Sequence, residues 1–570
     1  KGNEEIWTQG QGKYTSHWVP SFDDMEEKVE FDLNITFDPH YEVIANGKLV
    51  DKVYRDTTSA MWSFDMQKPM SSYLLAFVIG NYKKQELKSK SGFTVENYYY
   101  ARDSLRVEPT YRYTKEIVDF LEEVIGVPYP WQNYKQVPVK DFLYAGMENT
   151  GCTIFSDGYV IDSIAFIDKN YVNVNAHELA HQWFGNLVTE KDGNSHWLHE
   201  GFATYYAQLA EKEIFGDDHY YWTLCSTLEE LHKMVQKGKG ESLLDPKASS
   251  LTFYEKGAWA LFMLQKEVGE KAFRAGIKSY LNNFRFKNAT VQDFIKEMEI
   301  ANGKDLARFK ENWLISTAFP FEEAKIAIIE ESPSLKLRSE MEAALEKAQS
   351  DDIDYERYWD TTKSVHLKKY IIEQFHRTVP HEVLVKAFAS DTIGVRQQLA
   401  IYMDSIPAAL KADFESLLDD KSYVTVENAL LKLWMNYPEE KGKYLERTKY
   451  STGLPNKNVR LLWLTLAILT NDYDSKNTQA YFQELSSYTA PIYGWEIRMG
   501  AFQYLNEIGF TDAALKNLLN ACEHHSWQFK KYARNLIEQL LKDPDYKSRI
   551  SAMSEELNEG EKRYIKTKLN

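Results

Sequence analysis

The segment from Val174 to Leu187 has the sequence VNAHELAHQWFGNL. Its residues follow a helical period, so we predict a helix from Tyr171 to Leu187. His177 and His181 are four residues apart and therefore share one face of that helix. Two imidazole nitrogens at this spacing can bind one ion at about 2.0–2.1 Å, the distance that zinc requires.

A catalytic zinc site needs a third protein ligand and an open position for water. Glu200 follows His181 after eighteen intervening residues, near the start of a second helical segment from Trp197 to Glu213. Antiparallel packing of the two helices would bring Glu200 to the open side of the histidine pair. We therefore predict one Zn²⁺ per chain, bound by His177, His181 and Glu200, with Glu178 as the base that activates a metal-bound water.

The remaining histidines near this motif and the cysteines have a simpler interpretation. We expect His196 and His199 to be hydrogen-bonded structural residues. Cys152, Cys225 and Cys522 are odd in number and far apart, which indicates neither a disulfide framework nor a cysteine zinc site. We expect all three cysteines to be small buried residues.

Composition limits the classes of function. With 570 residues the chain is long enough for three or four domains, and its 44% apolar and 27% charged residues are typical of folded globular proteins. The net charge of −16 and the lack of a basic stripe argue against a nucleic-acid partner. No run approaches the roughly 18 apolar residues of a membrane span, so we predict none.

The first residue is Lys1 rather than Met, and the opening residues resemble the middle of a β-domain. We therefore expect that a segment precedes the sequence, so that a signal peptide cannot be judged. The sequence gives no prediction of cellular compartment or oligomeric state.

Short runs of alternating apolar and polar residues predict an antiparallel β-domain over residues 1–101. Turn residues separate the runs, and Asn46-Gly47 is the strongest hairpin signal among them, with Ser91-Gly92 as another. The predicted strands are 29–37, 41–53, 73–82 and 93–100.

The pattern becomes mixed over residues 102–322, where a helix is also predicted at Thr114 to Ile125, and all-helical over residues 323–570. Similar segments begin at Val395, Val459 and Ile497, each opening a helix. We predict stacked helix pairs of the HEAT or armadillo type. A single helical bundle is the alternative.

Several motifs together resemble the M1 family of zinc aminopeptidases. The two histidines with Glu178 and Glu200 match its metal-binding signature, and Ala145-Gly146-Met147-Glu148-Asn149 resembles its exopeptidase motif with Ala145 in place of a frequent glycine. Tyr254-Glu255-Lys256-Gly257 resembles the segment that carries its catalytic tyrosine. Gln9-Gly10-Gln11 resembles the part of the N-terminal domain that reaches the active site.

The resemblance implies an α+β multidomain fold with a saddle-like β-domain, a thermolysin-like catalytic domain and a helical C-terminal domain. It implies removal of the N-terminal residue from peptides that have a free N-terminus. The sequence predicts no β-sandwich between the catalytic and helical parts. In this respect the chain resembles the leukotriene A4 hydrolase branch of the family more than the aminopeptidase N branch. Ser249 replaces the tyrosine that this hydrolase uses with its epoxide substrate, so that second activity is not expected.

The resemblance also implies roles for individual residues. Tyr254 would donate a hydrogen bond to the oxyanion of the tetrahedral intermediate. Glu148 and Gln11 would hold the α-ammonium group of the substrate. The main chain at Gly146 and Met147 would pair with the bound peptide as an added strand.

Two other functions are compatible with parts of the sequence. A zinc endopeptidase would use the same metal motif but give Glu148 no special role, and it would cleave an N-acetylated peptide as fast as the free amine. A catalytically inactive scaffold would rely on the helical C-terminal part. The intact set of ligands and base argues against the scaffold.

Overall fold

A computed structural model describes residues 5–347, 353–553 and 556–569. The strands are β1 Ile6–Trp7, β2 Lys28–Val29, β3 Leu33–Phe37, β4 Glu42–Ala45, β5 Lys48–Tyr54, β6 Ala60–Asp65, β7 Met70–Ser71, β8 Phe77–Gly80, β9 Tyr82–Lys88, β10 Thr94–Tyr100, β11 Asn133–Val139, β12 Gly146–Met147, β13 Cys152–Ser156, β14 Val188–Glu190 and β15 Lys287–Ala289.

The first helices are α1 Val107–Tyr111, α2 Thr114–Ile125, α3 Val172–Ala180, α4 Trp197–Phe215, α5 Asp217–Gln236, α6 Gly257–Val268, α7 Glu270–Asn283, α8 Val291–Asn302, α9 Ala307–Phe309, α10 Phe321–Glu331 and α11 Pro333–Lys347. The later helices are α12 Tyr355–Thr361, α13 Val365–Phe375, α14 His381–Phe388, α15 Ile393–Tyr402, α16 Lys411–Ser416, α17 Tyr423–Asn436, α18 Lys441–Thr448, α19 Asn458–Leu469, α20 Thr478–Ser487, α21 Trp495–Ile508, α22 Asp512–Ala521, α23 Trp527–Leu540, α24 Pro544–Met553 and α25 Glu559–Leu569.

The N-terminal strands form three small antiparallel sheets, in the orders β1-β8-β4, β3-β6-β5 and β2-β7. The predicted antiparallel β-domain is thus confirmed. The hairpin predicted at Asn46-Gly47 is wrong, because β4 pairs with β8 whereas β5 pairs with β6. The turn at Ser91-Gly92 does join an antiparallel pair, β9 and β10.

The side chain of Asn46 explains why its turn is not a hairpin. Its Nδ2 atom donates to the carbonyl oxygens of Leu74 at 3.0 Å and Thr150 at 2.8 Å, and its Oδ1 atom accepts from the Ala76 N–H at 2.6 Å. Asn46 is fully buried. This asparagine therefore holds three chain segments together instead of shaping a two-residue turn.

The central sheet has the order β12-β13-β11-β10-β9, with parallel pairing of β10 to β11 and of β11 to β13. Its strands come from both sides of residue 101, because β9 and β10 precede that position. The domain boundaries after residues 101 and 322 stay predictions. The edge strand β12 lies beside the candidate site described below.

The helices that carry the metal-binding motif lie close to their predicted positions. The helix at Thr114–Ile125 is as predicted, whereas α3 ends at Ala180 rather than at Leu187. The chain turns there because Gly185 has a φ of +126° and the Asn186 N–H donates to the His181 carbonyl. His181 itself keeps helical dihedral angles.

The C-terminal part consists of helices, and the described residues after Ala289 contain no strand. Helices α13, α15, α17, α19 and α21 pack successively on one another, and α14 with α16 and α20 with α22 form neighbouring pairs. The similar segments found in the sequence lie in α15, α19 and α21 of the same row. The predicted stacking of helix pairs is confirmed. Within the described ranges, no helix is both long and apolar enough to cross a lipid bilayer.

We expect Asn46→Ala to destabilise the protein by about 2–4 kcal/mol, because it leaves the Thr150 carbonyl and the Ala76 N–H buried without partners and leaves the Leu74 carbonyl with only its bond from Asn149. The shift of the urea unfolding midpoint measures this. Asn34→Ala removes an exposed strand asparagine and serves as the control, with an expected change of about 0.5 kcal/mol or less. Equal shifts in the two variants would contradict the role of Asn46.

Candidate active site

Helices α3 and α4 bring the predicted metal ligands together. The two helices are antiparallel, since Asn173 at the start of α3 donates to Glu211 near the end of α4 at 2.8 Å. The Nε2 atoms of His177 and His181 are 3.1 Å apart, and each lies 3.4 Å from Oε2 of Glu200. The structure thus brings the three donor atoms to one point.

This arrangement fits a tetrahedral metal ion. Donors at about 2.0–2.1 Å from such an ion are separated by about 3.3 Å, close to the distances seen here. The Glu200 Oε2 atom is buried and has no hydrogen-bond partner, which is a costly state for a carboxylate oxygen. His181 Nδ1 donates to the Phe184 carbonyl at 2.9 Å, so its Nε2 atom keeps the lone pair that a metal needs.

The electrostatics of the cluster also fit a cation. Burial alone would raise the pKa of the Glu200 carboxyl, but His181 and His177 hold that pKa well below its usual value. Burial and the neighbouring carboxylates Glu148 and Glu200 raise the pKa of Glu178 well above its usual value, against the opposing effect of His181. Three carboxylates are therefore crowded around two imidazoles.

Glu178 lies against the edge strand β12. A Cβ atom at Gly146 would approach Glu178 Oε1 to 2.4 Å and its Cδ to 2.7 Å. Only glycine leaves room for the Glu178 side chain in this position. Gly146 pairs with Phe155 of β13 and occupies an edge position, so the other edge of β12 has no strand partner in the sheet.

Tyr254 approaches the predicted metal ligands from a π-helical turn, Thr252–Lys256, that leads into α6. Its ring is parallel to that of His177, with a centroid separation of 5.4 Å and an interplanar angle of 2°. The turn can approach α4 because Gly201 and Gly257 meet at the crossing, where an added Cβ would lie 2.8–2.9 Å from the opposing Cα. Such π-helical turns are common at functional sites, and the sequence did not predict this one.

A cavity of about 880 Å³ contains these residues. Of the residues predicted to bind substrate, Gln11, Gly146 and Glu148 line the cavity, whereas Met147 does not line it and is buried in the hydrophobic core. Only the main chain of Met147 is therefore available to a ligand. The C-terminal helices close one side of the cavity with Trp495, Glu496 and Gln528.

Two side chains from the segment after α3 bind the main chain of Glu148. Its main-chain carbonyl accepts from Asn186 Nδ2 at 2.7 Å and from Gln182 Nε2 at 3.3 Å. Its side chain is 4% exposed, and an oxygen of its carboxylate lies within 4.8 Å of donor atoms of Glu178 and His181. Sequence reasoning missed Gln182 and Asn186, although two polar residues among the large apolar ones after the histidine motif were a usable signal.

A loop before β12 connects the cavity to the C-terminal helices. Asp141 has a φ of +58°, and its Oδ1 atom accepts from the Trp495 N–H at 2.7 Å. Its carbonyl oxygen accepts from His525 Nε2 at 2.8 Å. The following residues, 142–146, line the cavity. The helical part of the chain thus fixes the loop that leads to Glu148.

Glu190, His196 and His199 form a second polar cluster next to the first. His196 Nδ1 lies 2.8 Å from Glu190 Oε2, and His199 Nε2 accepts from the Glu190 N–H at 2.6 Å. Because the latter bond leaves the proton of His199 on Nδ1, that nitrogen has no lone pair for a metal. The two histidines are hydrogen-bonded as expected, and His196 also lines the cavity. The cysteines Cys152, Cys225 and Cys522 are buried and unpaired, as expected.

Comparison with known proteins identifies two matching domain families. The model of the peptidase family M1 domain matches residues 110–313, and that of the peptidase M1 N-terminal domain matches residues 1–74. The first match contains the predicted metal ligands together with Glu148, Glu178 and Tyr254. The second contains Gln11.

Similar proteins are named as aminopeptidases. The chain is 30% identical over 332 residues to "Probable aminopeptidase 1" of Sulfurisphaera tokodaii, which covers 56% of this chain and 42% of that protein. It is 28% identical over 331 residues to aminopeptidase N of Lactococcus lactis subsp. lactis, covering 54% and 38% of the two chains. The matched part thus spans less than half the length of these curated relatives.

The structure of native yeast LTA4 hydrolase has a similar fold. The TM-score is 0.55 with 20% sequence identity, and the match covers 88% of this chain and 78% of that one. A likeness at this identity concerns the fold alone. The two domain matches lead to one conclusion: residues 110–313 form a peptidase family M1 domain, and residues 1–74 belong to a peptidase M1 N-terminal domain.

Proposed function

We propose that this chain is a zinc-dependent aminopeptidase that removes one residue at a time from peptides with a free N-terminus. His177, His181 and Glu200 would hold the zinc ion. Bound there, zinc would polarise the scissile carbonyl and lower the pKa of a coordinated water. Side chains of the protein would bind the substrate amine, transfer protons and stabilise the oxyanion.

The position of the Glu148 carboxylate carries the proposal. It is buried, and among the described residues no lysine or arginine forms an ion pair with it. An α-ammonium group would supply the missing cation. The α-nitrogen and the carbonyl carbon of one residue are only about 2.5 Å apart. Because Glu148 is within 4.8 Å of Glu178 and His181, an amine bound there would leave the first peptide bond at the reacting position.

Glu178 is the proposed base. Its raised pKa, caused first by burial, favours a carboxyl group that accepts a proton from the attacking water and then passes it to the leaving amine. The contact with Gly146 restricts the side chain to the face of the cavity beside β12. A proton held there is available to the nitrogen of the bond that breaks.

Tyr254 is the proposed donor to the oxyanion. Burial, followed by the charge of Glu200, raises the pKa of its phenol, so the hydroxyl keeps its proton and can donate it in a hydrogen bond. The open edge of β12 supports binding of the peptide main chain as an additional strand, since a strand edge presents unpaired N–H and C=O groups. Gln11 lines the cavity and supplies a neutral acceptor for the α-ammonium.

We expect Glu178→Gln to lower kcat by about 10³- to 10⁴-fold while the zinc content stays at one per chain, since the variant removes the base but no ligand. Stopped assays with an aminoacyl anilide and metal analysis of the same sample measure both quantities. Glu123→Gln, an exposed change on α2, is the matched control. Near-normal turnover with zinc bound would reject Glu178 as the base.

Tyr254→Phe should lower kcat by about 100-fold or more with little change in KM, because the oxyanion exists only in the transition state. Phenylalanine keeps the ring that is parallel to His177, so the packing is retained. Steady-state kinetics with an aminoacyl anilide provide the test. If the defect appeared only in KM, Tyr254 would be a residue for substrate binding instead.

Glu148→Ala tests the aminopeptidase function itself. We expect it to weaken transition-state binding of free-amine substrates by about 2–5 kcal/mol, the scale for losing one partner of a desolvated charge pair. Paired peptides with free and acetylated N-termini give the measurement. The wild-type enzyme should strongly prefer the free amine, and the variant should lose this preference while retaining zinc. Equal slowing of both peptides would instead favour an endopeptidase.

A further inference from the structure

One side of the cavity is lined by polar groups that the proposed reaction does not use. Glu200, Thr204 and Gln208 are spaced four residues apart on α4 and therefore lie along one helix face, and all three line the cavity. With a rise of 1.5 Å per residue, Thr204 and Gln208 lie about 6 and 12 Å beyond Glu200 along the axis.

These groups lie on the opposite side of the metal ligands from the proposed amine site. The Glu148 carbonyl accepts from Gln182 and Asn186, which follow the end of α3, and the end of α3 lies beside the start of α4. The start of α3 lies beside the end of α4 instead, since Asn173 donates to Glu211. The start of α4 thus faces the amine site, and its later turns face the region beyond the bond that is cut.

The side chains beyond Glu200 form an incompletely bonded set of acceptors. Gln208 Nε2 donates to Glu255 Oε2 at 3.2 Å, which leaves Gln208 Oε1 without a partner. Thr204 Oγ1 also has no partner. Thr204 and Gln208 are 6% and 4% exposed, so these are buried polar atoms that water in bulk does not reach.

The region lacks a positive charge of its own. Among the described residues that line the cavity, Lys169 is the only lysine or arginine, and its Nζ lies 3.9 Å from Glu496. No described basic group forms an ion pair with Glu255. Burial, reinforced by the charges of Glu230 and Glu211, raises the pKa of Glu255 to about 7. A cationic ligand would offset the cost of this partly buried carboxylate.

We infer that Thr204, Gln208 and Glu255 form a subsite for a lysine or arginine side chain at the second position of the substrate, directly after the cleaved bond. This inference rests on the proposed aminopeptidase function. An extended arginine or lysine side chain, built from single bonds of about 1.5 Å, reaches roughly 6–7 Å from its Cα. That length matches the axial distance of about 6 Å from Glu200 to Thr204. The side chain of Gln208 leans back toward the start of α4, as helical side chains do, and so shortens the remaining gap.

The test compares two peptides that differ in one charge, Ala-Arg-Ala and Ala-citrulline-Ala, with alanyl anilide as a substrate that has no second residue. We expect the zinc-loaded enzyme to show a kcat/KM about 10-fold or more higher for the arginine peptide. Glu255→Gln should reduce this ratio to about 1–2, and Gln208→Leu should reduce it in the same direction. Glu322→Gln, an exposed change on α10, should keep the wild-type ratio.

The outcomes separate this inference from the proposed function. If the wild-type enzyme cleaved alanyl anilide but gave similar kcat/KM values for the arginine and citrulline peptides, the subsite would be overturned. The proposed aminopeptidase function would still stand. A high ratio that survives both Glu255→Gln and Gln208→Leu would overturn the assignment of these residues. Failure of the zinc-loaded enzyme to release alanine from all three substrates would overturn both proposals. If Glu255 had only a structural role, Glu255→Gln would slow the cleavage of both peptides and leave the ratio of their kcat/KM values unchanged. This result would also contradict the inference.

Discussion

The approach of α3 to α4 is the contact on which the site depends. It brings two imidazole nitrogens and one carboxylate oxygen within 3.1–3.4 Å of one another in a buried setting. Without a shared cation such a cluster leaves lone pairs facing each other and an oxygen without a partner. The glycine contact between Gly201 and Gly257 then lets the turn with Tyr254 close on the same point.

The parts of the fold that sequence reasoning predicted are those governed by local periodicity. His177, His181 and Glu200 could be placed because each lies on a helix whose face is fixed by residues three or four positions away. The same local reasoning failed at Asn46, whose dipeptide with Gly47 favours a hairpin. At Asn46, three long-range hydrogen bonds of the buried side-chain amide, two donated and one accepted, determine the chain path instead.

Other features of the site could not be predicted because they depend on contacts between distant segments. The crowding of Glu178 against Gly146 joins a helix to an edge strand, and the bond from Gln208 to Glu255 joins two helices far apart in sequence. The π-helical turn at Tyr254 has no simple sequence pattern. The resemblance to a known family supplied the proposed role of Tyr254, whereas the structure supplies its orientation beside His177.

Residues from all three parts of the chain line the cavity. The N-terminal part contributes Gln11, the central part contributes the predicted metal ligands, and the C-terminal helices contribute Trp495 and Gln528. Asp141 links the last two, since its side chain and carbonyl accept hydrogen bonds from the helical part. The peptide substrate of the proposed reaction would therefore contact residues from all three parts.

X-ray absorption at the zinc edge, together with the metal content of the purified protein, tests whether His177, His181 and Glu200 bind zinc. We expect one zinc per chain, with two imidazole nitrogens and one carboxylate oxygen at about 2.0–2.2 Å and a further light-atom ligand. Coordination by a single histidine, or a sulfur ligand at about 2.3 Å, would contradict the assignment of His177, His181 and Glu200.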